Sequence, residues 1–222
     1  MAHICAHQRQ DDQMDASKLL IHTTNSLNSA FARTDAIAGL ALRLYLAPVF
    51  LMAGTSKLSH FADTALWFGN EDWGLGLPFP TLLTALAIAA ELGGAILLTL
   101  GLATRAIAIP LIVTMLVAIF AVHIDYGWQA IADSSAPFAN VRVDEATTKL
   151  ARATRILQEH GRYEWLTSSG KFVVLNNGIE FAATYLVMLL ALLAYGPGRY
   201  LSLDYWIKRR LMAGHTTPPT NV

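Results

Sequence analysis

Apolar residues fall along this chain in long, almost unbroken runs, not in the short alternation of soluble strands or amphipathic helices. Runs at 36–56, 81–102, 106–123 and 172–195 each reach the roughly 17–25 residues needed to cross a bilayer. They predict an all-α fold: a polytopic membrane protein with a four-transmembrane-helix bundle over 36–198, flanked by segments 1–35 and 199–222. Ahead of the first run, Leu19, Leu20, Leu27, Ala30 and Phe31 share one helical face. That pattern predicts an amphipathic N-terminal helix lying on the membrane surface. The outer loop, 124–171, contains a second such pattern: Ala146, Leu150, Ala153 and Leu157, with acids in the first turn. It predicts a helix over the mouth of the bundle. The first thirteen residues are polar and lack the apolar run of a secretory signal, so the first span is expected to be retained.

Composition narrows the class. Apolar residues make up 54% of the 222 and charged residues 14%, against about a quarter charged in soluble domains. So little polar sequence cannot cover four apolar helices in water. Sixteen basic and sixteen acidic residues cancel, which leaves no global field to attract nucleic acid. A single cysteine, Cys5, excludes an internal disulfide, a thiolate iron–sulfur site and a CxxC pair. Basic residues gather before the first span (Arg9, Lys18, Arg33), at the second hinge (Arg105) and after the last span (Arg199, Lys208, Arg209, Arg210). By the positive-inside rule both termini are expected in the cytoplasm. Trp67, Trp73, Trp128 and Trp165 in the outer loops, and Trp206 after the last span, fit aromatic belts at the two interfaces.

Charges inside the spans carry the functional information, because each needs a partner or a polar cavity. At about 1.5 Å of rise per residue, Arg43 lies about 10 Å into the first span and Glu91 about 15 Å into the second. Glu180, Lys57 and His123 lie toward the outer ends of their spans. Two clusters are therefore expected: Arg43 with Glu91 near the middle, and Lys57 with Glu180 and His123 toward the outside. The spacing supports one shared interior. Arg43, Ala47, Phe50, Gly54 and Lys57 follow a three–four rhythm; Thr84, Glu91, Gly94 and Gly101 share a face; Asn177, Glu180 and Thr184, and Met115, Ile119 and His123, form inward stripes. Either these ions are staples that fix helix register, or they build a polar site, open to the outside, for a head group, a metal or a proton.

The available chemistry is limited. His123 is the only histidine in a span, which excludes a bis-histidine haem, and no nucleophile–histidine–acid set or phosphate-binding glycine loop is present. His60 reads as an interfacial loop residue. His123 with Met52, Met115 or Met188 could hold Cu(I), although methionine in a membrane helix is ordinarily packing. Redox chemistry would require a diffusible carrier such as a quinone, or a partner protein.

RLYLAPVFLMAGTSKL (43–58) followed by AAELGGAILLTLGLATRAIA (89–108) resembles the DoxX family of four-helix bacterial membrane proteins. VLNNGIEF (174–181) and GPGRY-x-S-x-DYW (196–206), with the long outer loop, resemble a longer branch associated with maturation of copper-handling peptides. The resemblance implies that Arg43, Gly54, Lys57, Glu91, Gly94, Gly101, Thr104, Arg105, Asn177 and Glu180 are family positions. It supplies no metal ligands, and the inserted loop departs from relatives regarded as subunits of a thiosulfate–quinone oxidoreductase. The reading that follows is a component, in the bacterial inner membrane, of a quinone-linked redox or copper-homeostasis system. Arg43, Lys57, Glu91, Arg105, His123, Asn177 and Glu180 would form its binding site, and any catalysis would be that of an oxidoreductase subunit in a complex. The alternative is a non-catalytic scaffold or transporter whose outer loop docks a periplasmic protein or peptide. Lipid contact follows from either reading, homo-oligomerisation stays open, and no nucleic-acid partner is expected.

Overall fold

The computed structural model describes Thr24 and residues 36–213. The surface helix expected over 17–33 lies outside the described residues, apart from Thr24, which is helical.

Three helices are long and apolar enough to cross a membrane: α1 (Ala36–Ser59), α3 (Pro80–Leu100) and the span Thr104–Tyr126. The last begins as α4 (Thr104–Val117), passes through a π turn at Ala118–His123 and closes with a 3-10 turn at Ile124–Tyr126. Pro110 sits inside α4, where its ring cannot donate to the preceding turn. A short α2 (Phe61–Gly69) links α1 to α3. α5 (Val141–His160) and α6 (Tyr163–Leu166) occupy the long loop. α7 (Glu180–Tyr195) and α8 (Leu203–Ala213) complete the chain.

A single core joins four of these helices. Leu46, Ala47 and Phe50 of α1 meet Ala95 and Leu98 of α3, Ala108 and Leu111 of α4, and Leu189 and Leu192 of α7. Leu46 or Ala47 with Phe50, and the pairs from the other three helices, are three or four residues apart, so each helix presents one stripe inward. The opposite faces remain apolar and bare: Met52 is 71% exposed, Val187 65% and Ile96 59%. Surface of that kind, running round the whole bundle, is stable only against hydrocarbon. The fold is that of a helical membrane protein whose outer walls contact lipid.

The fourth apolar helix differs from its expected range of 172–195. Helix begins only at Glu180, leaving α7 with 16 residues, about 24 Å of rise against a hydrocarbon core of about 30 Å. The preceding residues run extended and pair with 127–132. Ala132 donates to the Val174 carbonyl, Asn176 and Asn177 to Ala130, Gly178 to Gln129, and Glu180 to Trp128. The cause is local. Val173 and Val174 are β-branched, and Asn177 adopts φ +60, a conformation asparagine tolerates better than most residues. A side chain on Gly178 would strike the carbonyl oxygens of Gln129 and Gly127, at 2.5 and 2.6 Å.

In the loop, α5 starts where Asn140 accepts a hydrogen bond from the Val143 amide, a conventional N-cap. Asp133 accepts from the Ser135 hydroxyl and amide, which holds its carboxyl below the usual aspartate range.

Candidate functional site

Lys57 and Glu91 form an ion pair inside the bundle. The lysine Nζ lies 2.7 Å from Oε1 and 2.8 Å from Oε2. Glu91 stands near the middle of α3, eleven residues after Pro80 and nine before Leu100. Its side chain is 4% exposed, whereas that of Lys57 is 28% exposed. Gly54 allows this approach: a Cβ there would lie 2.8 Å from Leu92 and 3.2 Å from the Glu91 Cβ. On the same face of α3, two turns toward the loop end, the Thr84 hydroxyl is fully buried with no hydrogen-bond partner among the described residues. Together these groups place a carboxylate, an ammonium and an unpaired hydroxyl along one buried strip of the bundle.

The pairing departs from the expected one, since Arg43 does not meet Glu91. The antiparallel register of α1 and α3 sets Gly54 against Glu91 and Arg43 against Leu98 and Gly101. Seven residues of helix, about 10 Å, therefore separate the two charges. The Arg43 side chain is completely buried. It donates to the carbonyls of Gly39 (3.3 Å), Leu98 (3.1 Å) and Leu201 (2.6 Å). The Leu98 carbonyl belongs to the C-terminal turn of α3, the negative end of the helix dipole. Gly101, at φ +64, closes α3, and a Cβ there would collide with the Arg43 guanidinium.

Asp204 completes this clamp. Its carboxylate accepts from the amides of Ala103 (2.7 Å) and Thr104 (3.0 Å), and its own amide donates to Gly101. A residue a hundred positions downstream thus caps the N-terminus of α4, where the preceding Ala103 holds a left-handed φ of +48. Arg105 lies at this same end and donates to the Ala194 carbonyl at 2.9 Å, well away from Glu91.

The other expected site residues gather at the opposite, loop end. Glu180 accepts from the Ala130 amide at 2.9 Å and does not meet Lys57. As the first residue of α7 it also lies at the positive end of a helix dipole. His123 Nδ1 is 2.8 Å from the Asn177 carbonyl. Eight residues, about 12 Å of rise, separate His123 from Met115, which packs on the core. That spacing leaves no shared copper site for the two. Among the described residues, no cluster of three or more His, Cys, Asp or Glu side chains could hold a metal ion.

The centre of the loop end is Asn176, which lies in the VLNNGIEF string but is not among the expected site residues. It is 2% exposed. Its amide nitrogen donates to Tyr126 (2.9 Å) and Gln129 (2.8 Å), and its oxygen accepts from Arg142 (3.1 Å). The Arg142 guanidinium also stacks 4.4 Å above the Tyr126 ring. Replacing Asn176 by alanine would remove three buried hydrogen bonds, leaving Gln129 its Gly178 amide donor and Tyr126 its Asn140 donor, at about 0.5–1.5 kcal/mol for each bond lost. Hydrogen exchange of the 176–180 amides should then quicken by about tenfold or more, with protection in α3 unchanged.

One convergent pocket was expected, and three separate polar centres are found. A clamp at the terminal end contains Arg43 and Asp204, a mid-span pair joins Lys57 and Glu91, and a lock at the loop end contains Glu180, His123, Asn176 and Arg142. The architecture is that of a polytopic helical membrane protein with ionisable groups inside its bundle. Residues 38–124 match the DoxX family model, so that segment of the chain is similar to the DoxX family. No curated protein and no solved structure matches the chain significantly.

Proposed function

We propose that the protein is an inner-membrane component of a redox system, and that Lys57 and Glu91 form its binding site for the head group of a quinone-type carrier. The observation that carries this reading is the asymmetry of the pair: a carboxylate at mid-span with almost no exposure, held by a lysine that is partly open. Buried acid–base pairs of this kind mark proton and solute sites in membrane proteins more often than surface pairs do. The donors suit the ligand. The Lys57 ammonium and the unpartnered Thr84 hydroxyl can each donate to a carbonyl oxygen, and Glu91 can hold a proton when Lys57 turns away. A bound quinone would supply the electron-accepting chemistry, which the polypeptide lacks.

Arg105, Arg199, Lys208, Arg209 and Arg210 support a cytoplasmic setting for the end where α1 begins and α7 stops. In that setting α7 serves as a short fourth span, and the 127–132 and 174–179 segments fill its missing depth with backbone already hydrogen-bonded.

Native mass spectrometry of protein extracted with its lipids tests the reading. Retained quinone should be present in the natural protein and lost from Glu91→Gln and Lys57→Gln variants that remain in the membrane. Equal quinone in all three would refute it.

A further inference from the structure

A cleft of about 780 Å³ opens at the terminal end, between the start of α1, the α3–α4 hinge, the end of α7 and α8. Its rim carries three cations, Arg105, Arg199 and Lys208, and one acid, Asp204. The acid is already engaged by the Ala103 and Thr104 amides. Arg105 uses one donor on the Ala194 carbonyl, and among the described residues neither Arg199 nor Lys208 makes an ion pair. Positive charge at the rim therefore exceeds what the fold consumes.

The floor has the opposite character: Leu42 of α1 and Ala191 of α7 continue the cleft toward the apolar bundle wall. Its depth is set by the helix ends. Arg105 is the second residue of its span and Tyr195 the last residue of α7, so the rim lies at the boundary between water and hydrocarbon. α8 agrees, with Leu203, Ile207 and Leu211 exposed at four-residue spacing beside a half-exposed Trp206, the pattern of a helix lying in the interface.

We propose that this cleft seats an anionic phospholipid, its phosphate against Arg105, Arg199 and Lys208 and an acyl chain along the floor between α1 and α7. Guanidinium and ammonium groups suit phosphate oxygens. A soluble phosphate would leave the apolar floor unused, whereas a lipid fills both halves and reaches the cleft from the bilayer.

The test uses full-length, delipidated protein in neutral detergent, titrated with phosphatidylglycerol or with phosphatidylcholine of the same chains and followed by native mass spectrometry. One phosphatidylglycerol should be retained per chain in preference to phosphatidylcholine. The Arg199→Gln/Lys208→Gln double variant should cut that preference by on the order of tenfold. Arg209→Gln/Arg210→Gln removes the same charge from α8 outside the cleft and should leave the preference intact. Equal loss in both double variants would show diffuse surface attraction and overturn the proposal. Displacement of the lipid by millimolar inorganic phosphate would overturn it too, by assigning the cleft to a soluble anion. The readout is independent of quinone content, so it stands or falls separately from the Lys57–Glu91 reading.

Discussion

Replacing Arg43 by methionine should leave little folded protein in the membrane. The substitution nearly preserves volume but removes donors from the Leu98 and Leu201 carbonyls, both bound by a side chain with no exposure. It also removes a positive charge that interacts with the Asp204 carboxylate across the clamp. Losing hydrogen bonds from a charged donor costs about 1.5–3 kcal/mol each, together a large fraction of the stability of a domain this size. Asp204→Ala attacks the same clamp from the other side and frees the Ala103 and Thr104 amides, so its cost overlaps that of Arg43→Met. A double-mutant cycle on unfolding in mixed micelles should therefore give a coupling of about 1–3 kcal/mol. Additive losses would mean that the arginine and the aspartate stabilise the hinge independently.

This clamp marks where the sequence was legible and where it was not. Arg43, Lys57 and Glu91 stand out as interior charges in apolar runs, and the structure buries all three, fully or in large part. Their partners could not be read, because depth measured from the ends of each span carries no information about register between spans. Only the packing of Gly54 on Glu91 and of Gly101 on Arg43 sets that register, and it moves the carboxylate from the arginine to the lysine. Asp204 stands in the GPGRY-x-S-x-DYW string, but its role at the α3–α4 hinge could not be read because it lies past the last apolar run. The start of α7 at Glu180 differs from the apolar run for a separate reason: apolarity alone does not distinguish a buried helix from an extended segment. Val173, Val174 and the asparagine pair before Gly178 were the available signals for extended chain and a turn. Asn176 could have been found from that same string, since neighbouring asparagines within an apolar run must find partners.

Lys57→Met should destabilise the protein more than Glu91→Gln, and the reason separates a structural pair from a functional one. Without the lysine, a carboxylate with 4% exposure must either stay charged in the bundle, at about 3–5 kcal/mol, or take up a proton. Without the carboxylate, the lysine, already 28% exposed, can carry its ammonium toward the loop end on its flexible stem. The loss should then be smaller, on the order of 1–2 kcal/mol. Combining Lys57→Met with Glu91→Leu removes both charges and leaves an apolar strip, which often restores or exceeds the original stability. Unfolding of the three variants in mixed micelles gives this ranking directly. If Lys57 and Glu91 serve only as a staple, the double variant regains both folding and whatever activity the natural protein supports. If they bind a ligand, the double variant folds as well as the natural protein yet retains no quinone. Recovery of stability without recovery of the bound molecule is the expected outcome, because an apolar strip can fill the space of an acid–base pair but cannot donate to a carbonyl oxygen or hold a proton.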